Sequence, residues 1–88
     1  MPIVSQFYGI VIKMFFNDND KHHSEHVHVE YGEYEATFDF EANILVGELP
    51  NKQKKLVEAW ILIHSEELKA LWKAINSDGG FFKIDPLH

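Results

Sequence analysis

The chain has 88 residues, 45% of them hydrophobic, which is one small domain spanning 1–88 with enough apolar side chains for a single core. It has no cysteine, which excludes disulfide frameworks, thiol catalysis and cysteine zinc sites. Its formal net charge is −6, with lysine as the only strong base and no arginine, so the chain is poorly equipped to hold phosphate or read nucleic acid.

The charge is uneven: residues 1–50 carry nine acids against two lysines, and residues 51–88 five acids against six lysines. No apolar run approaches the ~18 residues of a membrane span, and the start, MPIVSQFYGI, has no basic stretch ahead of a signal-type apolar region. The expectation is a protein that is not secreted and has no nucleic-acid or membrane partner.

The first predicted element is a strand from Tyr8 to Phe16, YGIVIKMFF, rich in β-branched and aromatic residues. Only Lys13 breaks its apolar run, as in a central strand covered on both faces or one with an interface on its outer side. The polar loop NDNDKHHSE follows.

HVHVEYGEYEATFDFE is the clearest pattern in the chain. Val27, Val29 and Tyr31 alternate with His26, His28 and Glu30. Beyond Gly32-Glu33, Tyr34, Ala36, Phe38 and Phe40 alternate with Glu35, Thr37, Asp39 and Glu41. A two-residue turn with glycine first fits the II′ hairpin. Its register pairs Tyr31 with Tyr34, Val29 with Ala36 and Val27 with Phe38 on the apolar face. On the wet face it pairs Glu30 with Glu35, His28 with Thr37 and His26 with Asp39. A slip of one residue would mix the faces, so pattern and turn chemistry agree.

Ala42-Asn43 marks a further tight turn, and residues 44–49, ILVGEL, read as a strand with Gly47 at a bulge. Pro50 stops it. A helical pattern runs from Asn51 to about Asn76, as one long helix or as two pieces broken near His64-Ser65, with Ser65 as the N-cap of the second. Leu68, Leu71, Trp72 and Ile75 form an amphipathic stripe. LVEAWILI, residues 56–63, is apolar nearly all round, more than one sheet face can cover. Asp78-Gly79-Gly80 ends the helical region, and FFKID, residues 81–85, is a short strand or an extended tail. The expected architecture is α+β: an antiparallel sheet of about four strands with one long or broken helix packed on one face.

Three groups carry chemistry. His26 and His28 share a strand face near Asp39, a nucleus for a borderline metal, and His22 and His23 precede them. The Glu30–Glu35 pair on that face calls for a metal or a lysine nearby. Against the metal stands the simpler reading of a solvated hairpin face. Pro2 offers a secondary amine if Met1 is removed, like the base of small tautomerases, but those enzymes hold carboxylates with arginine. Lys52, Lys54 and Lys55 fall in the first turn of the predicted helix, where the macrodipole favours acids; they read as an anion site or as a solvated face. His64-Ser65-Glu66 has the residue types of a hydrolase triad but no nucleophile elbow.

The ordered words FYGI, HVHVEYG, GELP and LVEAW, with His-x2-Glu-Leu-x3-Trp at 64–72, resemble the small bacterial family catalogued as domain of unknown function 4160. The resemblance covers nearly the whole chain. That family has Pro-His-Phe-His-Val followed by Tyr-Gly; here Glu25 stands for the proline and Val27 for the phenylalanine. The resemblance implies a bacterial cytoplasmic protein and no assigned activity. It also implies a small protein partner, since members are often encoded beside another small domain, like a toxin–antitoxin pair. The leading expectation is a protein-interaction module that pairs with itself or a small protein through residues 56–63. The alternative is a metal-binding protein or metal-dependent enzyme using His26, His28 and Asp39. No catalytic residue and no cofactor is assigned.

Overall fold

The computed structural model describes residues 3–14, 25–77 and 80–87, with Asn76 and Ser77 in backbone only. Pro2, Phe15, Phe16, His22, His23, Asp78 and Gly79, each invoked above, lie outside the described residues.

The fold is α+β. Five strands form one antiparallel sheet in sequence order: β1 (Ile3–Phe7), β2 (Ile10–Lys13), β3 (His26–Tyr31), β4 (Tyr34–Asp39) and β5 (Ile44–Gly47). Two helices follow, α1 (Asn51–Ile63) and α2 (Ser65–Ser77). Each connection between consecutive strands keeps neighbours in sequence as neighbours in space, the commonest solution for an antiparallel sheet.

The strand count corrects the expectation of four. The segment read as one strand from Tyr8 turns at its first two residues, and a further strand, β1, precedes it. Tyr8 and Gly9 both take positive φ, +51° and +79°, the signature of a tight I′ hairpin. Asn or Asp usually stands where Tyr8 does, so Gly9 is the turn's single signal in the sequence. β1 also carries a bulge: Ile3 faces Lys13 while Ser5 faces Ile12, leaving Val4 as the extra residue.

The β3–β4 hairpin has the register that its pattern demands, in all six pairs from His26↔Asp39 to Tyr31↔Tyr34. Gly32 supplies φ +57° at the first turn position, and Glu33 needs no positive φ, as the II′ turn requires.

The next turn is wider than Ala42-Asn43 alone. Asp39 Oδ1 accepts the N–H groups of Glu41 and Asn43, each at 2.9 Å, and Ala42 reaches φ +69°. The carboxylate thus ties the loop as an Asx turn does. In β5 the bulge falls on Leu45, because Thr37 faces Val46 while Phe38 faces Ile44. Gly47 has another task. A Cβ there would sit 2.2 Å from the Glu35 carbonyl oxygen, and its φ is +83°.

The helical region is broken, at His64 rather than with Ser65 as a cap. His64 leaves helical geometry with φ −107° and ψ 21°. Its N–H still donates to Trp60 O at 3.0 Å, and its carbonyl accepts from Leu68 N at 2.9 Å. Backbone hydrogen bonding therefore runs through the joint although His64 itself is not helical.

Ile10, Ile12, Val27, Val29, Ala36 and Phe38 form one buried cluster with Val57, Trp60, Ile61, Leu68, Leu71 and Ile75. Both helices thus cover the same sheet face. Trp60 is fully buried, and its indole N–H donates to Asp85 O at 2.8 Å. That bond meets the donor that burial would otherwise strand. The tail 80–87 runs extended; Ile84 is buried and donates its N–H to Val4 O at 3.0 Å. It follows the β1 edge without forming a strand.

Candidate functional site

By register, His28 and Glu30 of β3, Glu35 and Thr37 of β4 and Lys13 of β2 share the outer face of the sheet, with His26 and Asp39 at the strand ends, where Trp72 of α2 reaches the ring of His26. Alternation places them: Lys13 pairs with His28 in register, and His28 with Thr37. A shallow cleft of about 240 Å³ opens here, lined by His28, Glu30, Glu35, Thr37 and Val46 among others. Lys13 Nζ donates to Glu30 Oε2 at 3.0 Å. A lysine therefore answers the like-charge pairing of Glu30 with Glu35.

The imidazoles of His26 and His28 meet edge to face with centroids 5.1 Å apart. They do not share one environment. His28 is half-buried, while His26 is only 7% exposed and packs against the indole of Trp72. Strand parity puts both rings on the wet side; the structure places His26 under a tryptophan. No sequence signal ties Trp72 to His26, because the two are joined only by the path of α2.

Asp39 stands opposite His26 in register, and its carboxylate binds the loop: Oδ1 takes Glu41 and Asn43 N–H, and Oδ2 takes Asn43 Nδ2 at 3.3 Å. Among the described residues, no group of three or more His, Asp or Glu stands where it would hold a metal ion.

On α1, Val57, Trp60 and Ile61 enter the core and Leu56 packs partly against it. Leu62 and Ile63 do not; they are 61% and 65% exposed. With the exposed Ala59 they make an i, i+3, i+4 apolar stripe on the side of α1 away from the sheet. Leu45 and Val46 are a second exposed apolar pair, on the edge strand β5. The lysines opening α1 have local work in part: Lys54 Nζ lies 3.9 Å from Glu58 across one helical turn. His64 Nδ1 contacts Glu67 Oε1, and its ring packs on Trp60, so His64 serves the helix joint rather than a triad with Ser65.

A family model described as Domain of unknown function (DUF4160) matches residues 9–73, from the β1–β2 turn to the last turns of α2. The chain belongs to this family. No curated protein and no solved structure matches it. In this DUF4160 chain the matched span holds the histidine strand, the Lys13–Glu30 pair and the exposed stripe of α1, while β1 and the tail lie outside it. Among the described residues, no helix is long and apolar enough to cross a membrane.

Proposed function

We propose that this DUF4160 chain is a protein-interaction module of the bacterial cytoplasm that pairs with a second copy of itself through the outer side of α1. The observation that carries the reading is the exposure of Leu62 and Ile63, 61% and 65%, side by side at the end of α1. Their neighbours Trp60 and Ile61 fill the core, so these two positions are apolar for a reason other than core packing. A contiguous apolar stripe left in water is the ordinary mark of a contact surface. A two-fold axis would set the stripe of one copy against that of the other. The partner alternative is a different small protein, in a pairing like that of a toxin and its antitoxin.

Light scattering across micromolar to millimolar concentration tests this. The wild type is expected to dimerise, and Leu62→Lys with Ile63→Lys to remain monomeric with an unchanged circular dichroism spectrum. A wild type that stays monomeric throughout removes the self-pairing.

A second reading rests on the closeness of the two imidazoles. His26 and His28, with ring centroids 5.1 Å apart, offer two nitrogen ligands to zinc or nickel. Asp39 would join them only by leaving its loop bonds. Titration with zinc, followed at the histidine ring signals, decides it: shifts of both rings at micromolar metal support the site, and none below millimolar removes it.

A further inference from the structure

We propose that the groove between the β1–β2 turn and the first turn of α1 binds a planar aromatic anion, a flat ring carrying a carboxylate or phosphate. The groove is lined by Tyr8, Tyr31, Lys52, Gln53, Leu56 and Leu87, and its volume of about 550 Å³ falls within the usual range for small-molecule sites. It shares no residue with the histidine face or with the Leu62–Ile63 stripe, so it stands independently of both readings above.

Tyr8 is the first reason. It occupies a left-handed turn position, φ +51°, where Asn, Asp or Gly fits without strain. The residue is 60% exposed, so core burial does not account for the aromatic choice. A strained backbone carrying an exposed aromatic ring is the arrangement expected where a ligand, rather than folding, selects the residue. Tyr31 supplies a second ring. It lies against the backbone of Gly9, where a Cβ would stand 3.4 Å from Tyr31 Cε1. The turn thus brings two phenol rings to one groove, with Leu56 and Leu87 adding apolar surface and Gln53 an amide.

Charge selects the ligand. Tyrosine faces accept either another ring or a cation. Among the described residues, the only charged side chain lining the groove is Lys52, and the first turn of α1 holds no acid to offset it. Among the described lining residues, a cation would meet repulsion and no carboxylate. An anionic substituent on a flat ring meets Lys52 while the ring meets the tyrosines.

The test is a titration of the ¹⁵N-labelled full chain with 2-naphthoate, 2-naphthyl phosphate and neutral 2-naphthamide. At least one anion is expected to bind saturably, with a Kd of about 1 mM for a ligand of this size. The shifts should centre on Tyr8, Gly9, Tyr31, Lys52 and Gln53. The amide should bind about tenfold more weakly, and Lys52→Gln should erase that preference. Tyr8→Asn should fold with an equal or higher Tm and lose most of the binding. Which anion binds more tightly separates a carboxylate ligand from a phosphate one. The proposal is overturned if no anion shifts these residues saturably, if the amide binds as well as both anions, or if Tyr8→Asn binds as the wild type does. Should Tyr8→Asn fail to fold, the exposed Lys52→Gln carries the decision alone.

Discussion

The imidazole of His26 packs against the indole of Trp72, with ring centroids 5.3 Å apart and planes inclined by 58°. Trp72 also meets Phe40 edge to face at 6.0 Å. One half-buried tryptophan on α2 therefore covers the start of β3 and the end of the β3–β4 hairpin together. Trp72→Ala removes this cover and should cost about 2 kcal/mol, less than a full core truncation because the indole is half-buried. It should also move the His26 ring proton signals toward ordinary imidazole positions by removing the indole ring current. Trp72→Phe should keep most of both. An alanine variant with an unchanged His26 spectrum would contradict the contact.

The β3–β4 hairpin was legible in the sequence because two independent signals coincided: period-two alternation on each strand, and a glycine where a II′ turn must have one. The break at His64 was half-legible, since polar residues interrupt an apolar run there without naming the joint. The β1–β2 hairpin was hidden, because a tyrosine in left-handed conformation does not look like a turn. Of the candidate site, the shared face of His26 and His28 followed from strand parity alone. The burial of His26 did not, because it depends on where α2 crosses the sheet, which no local pattern encodes. Asp39 was legible as a neighbour of His26 in register, but its use as a loop tie depends on the φ +69° of Ala42.

Gly47 and Gly32 should respond very differently to alanine. At Gly47 the added Cβ meets backbone, 2.2 Å from Glu35 O and 2.9 Å from Ala36 Cα, at φ +83°. Neither neighbour can step aside without opening the β4–β5 ladder. Gly47→Ala should cost about 3 kcal/mol or more, lowering Tm by more than about 10 °C in a domain of this size. At Gly32 no atom lies within 4 Å of the new Cβ, so only the φ of +57° resists. Gly32→Ala should cost about 1 kcal/mol. Thermal unfolding of the pair checks the ranking; equal losses would show that the β5 approach is looser than described.

Removing the Lys13 ammonium leaves Glu30 and Glu35 facing each other without their cation. Lys13→Met keeps most of the apolar stem and loses the charge. The side chains of the pair are 21% and 39% exposed, so solvent screens it and the loss should be modest, about 0.5 kcal/mol. The sign of the salt effect is the sharper test. Added salt screens the attraction in the wild type and the repulsion in the variant, so the gap between them should narrow in 1 M NaCl, at a Debye length of about 3 Å. Glu35→Gln in the Lys13→Met background should recover part of the loss at low salt. A gap that widens with salt would mean that Lys13 acts through packing.

The bulge at Val4 turns two successive residues inward, Val4 at 0% and Ser5 at 5% exposure. Ser5 faces inward by regular alternation with Phe7, and the bulge adds Val4 beside it. Ser5 Oγ is buried there with no hydrogen-bond partner among the described residues. A buried hydroxyl that gives up water without a protein partner is destabilising, and alanine removes the hydroxyl at almost no loss of volume. Ser5→Ala should therefore raise stability by about 1 kcal/mol, read as a higher urea midpoint at constant slope. A lower midpoint would show that the hydroxyl holds a bound water in the groove beside it, between β1 and the Lys83–Pro86 stretch of the tail, and that this water is part of how the tail stays on the β1 edge.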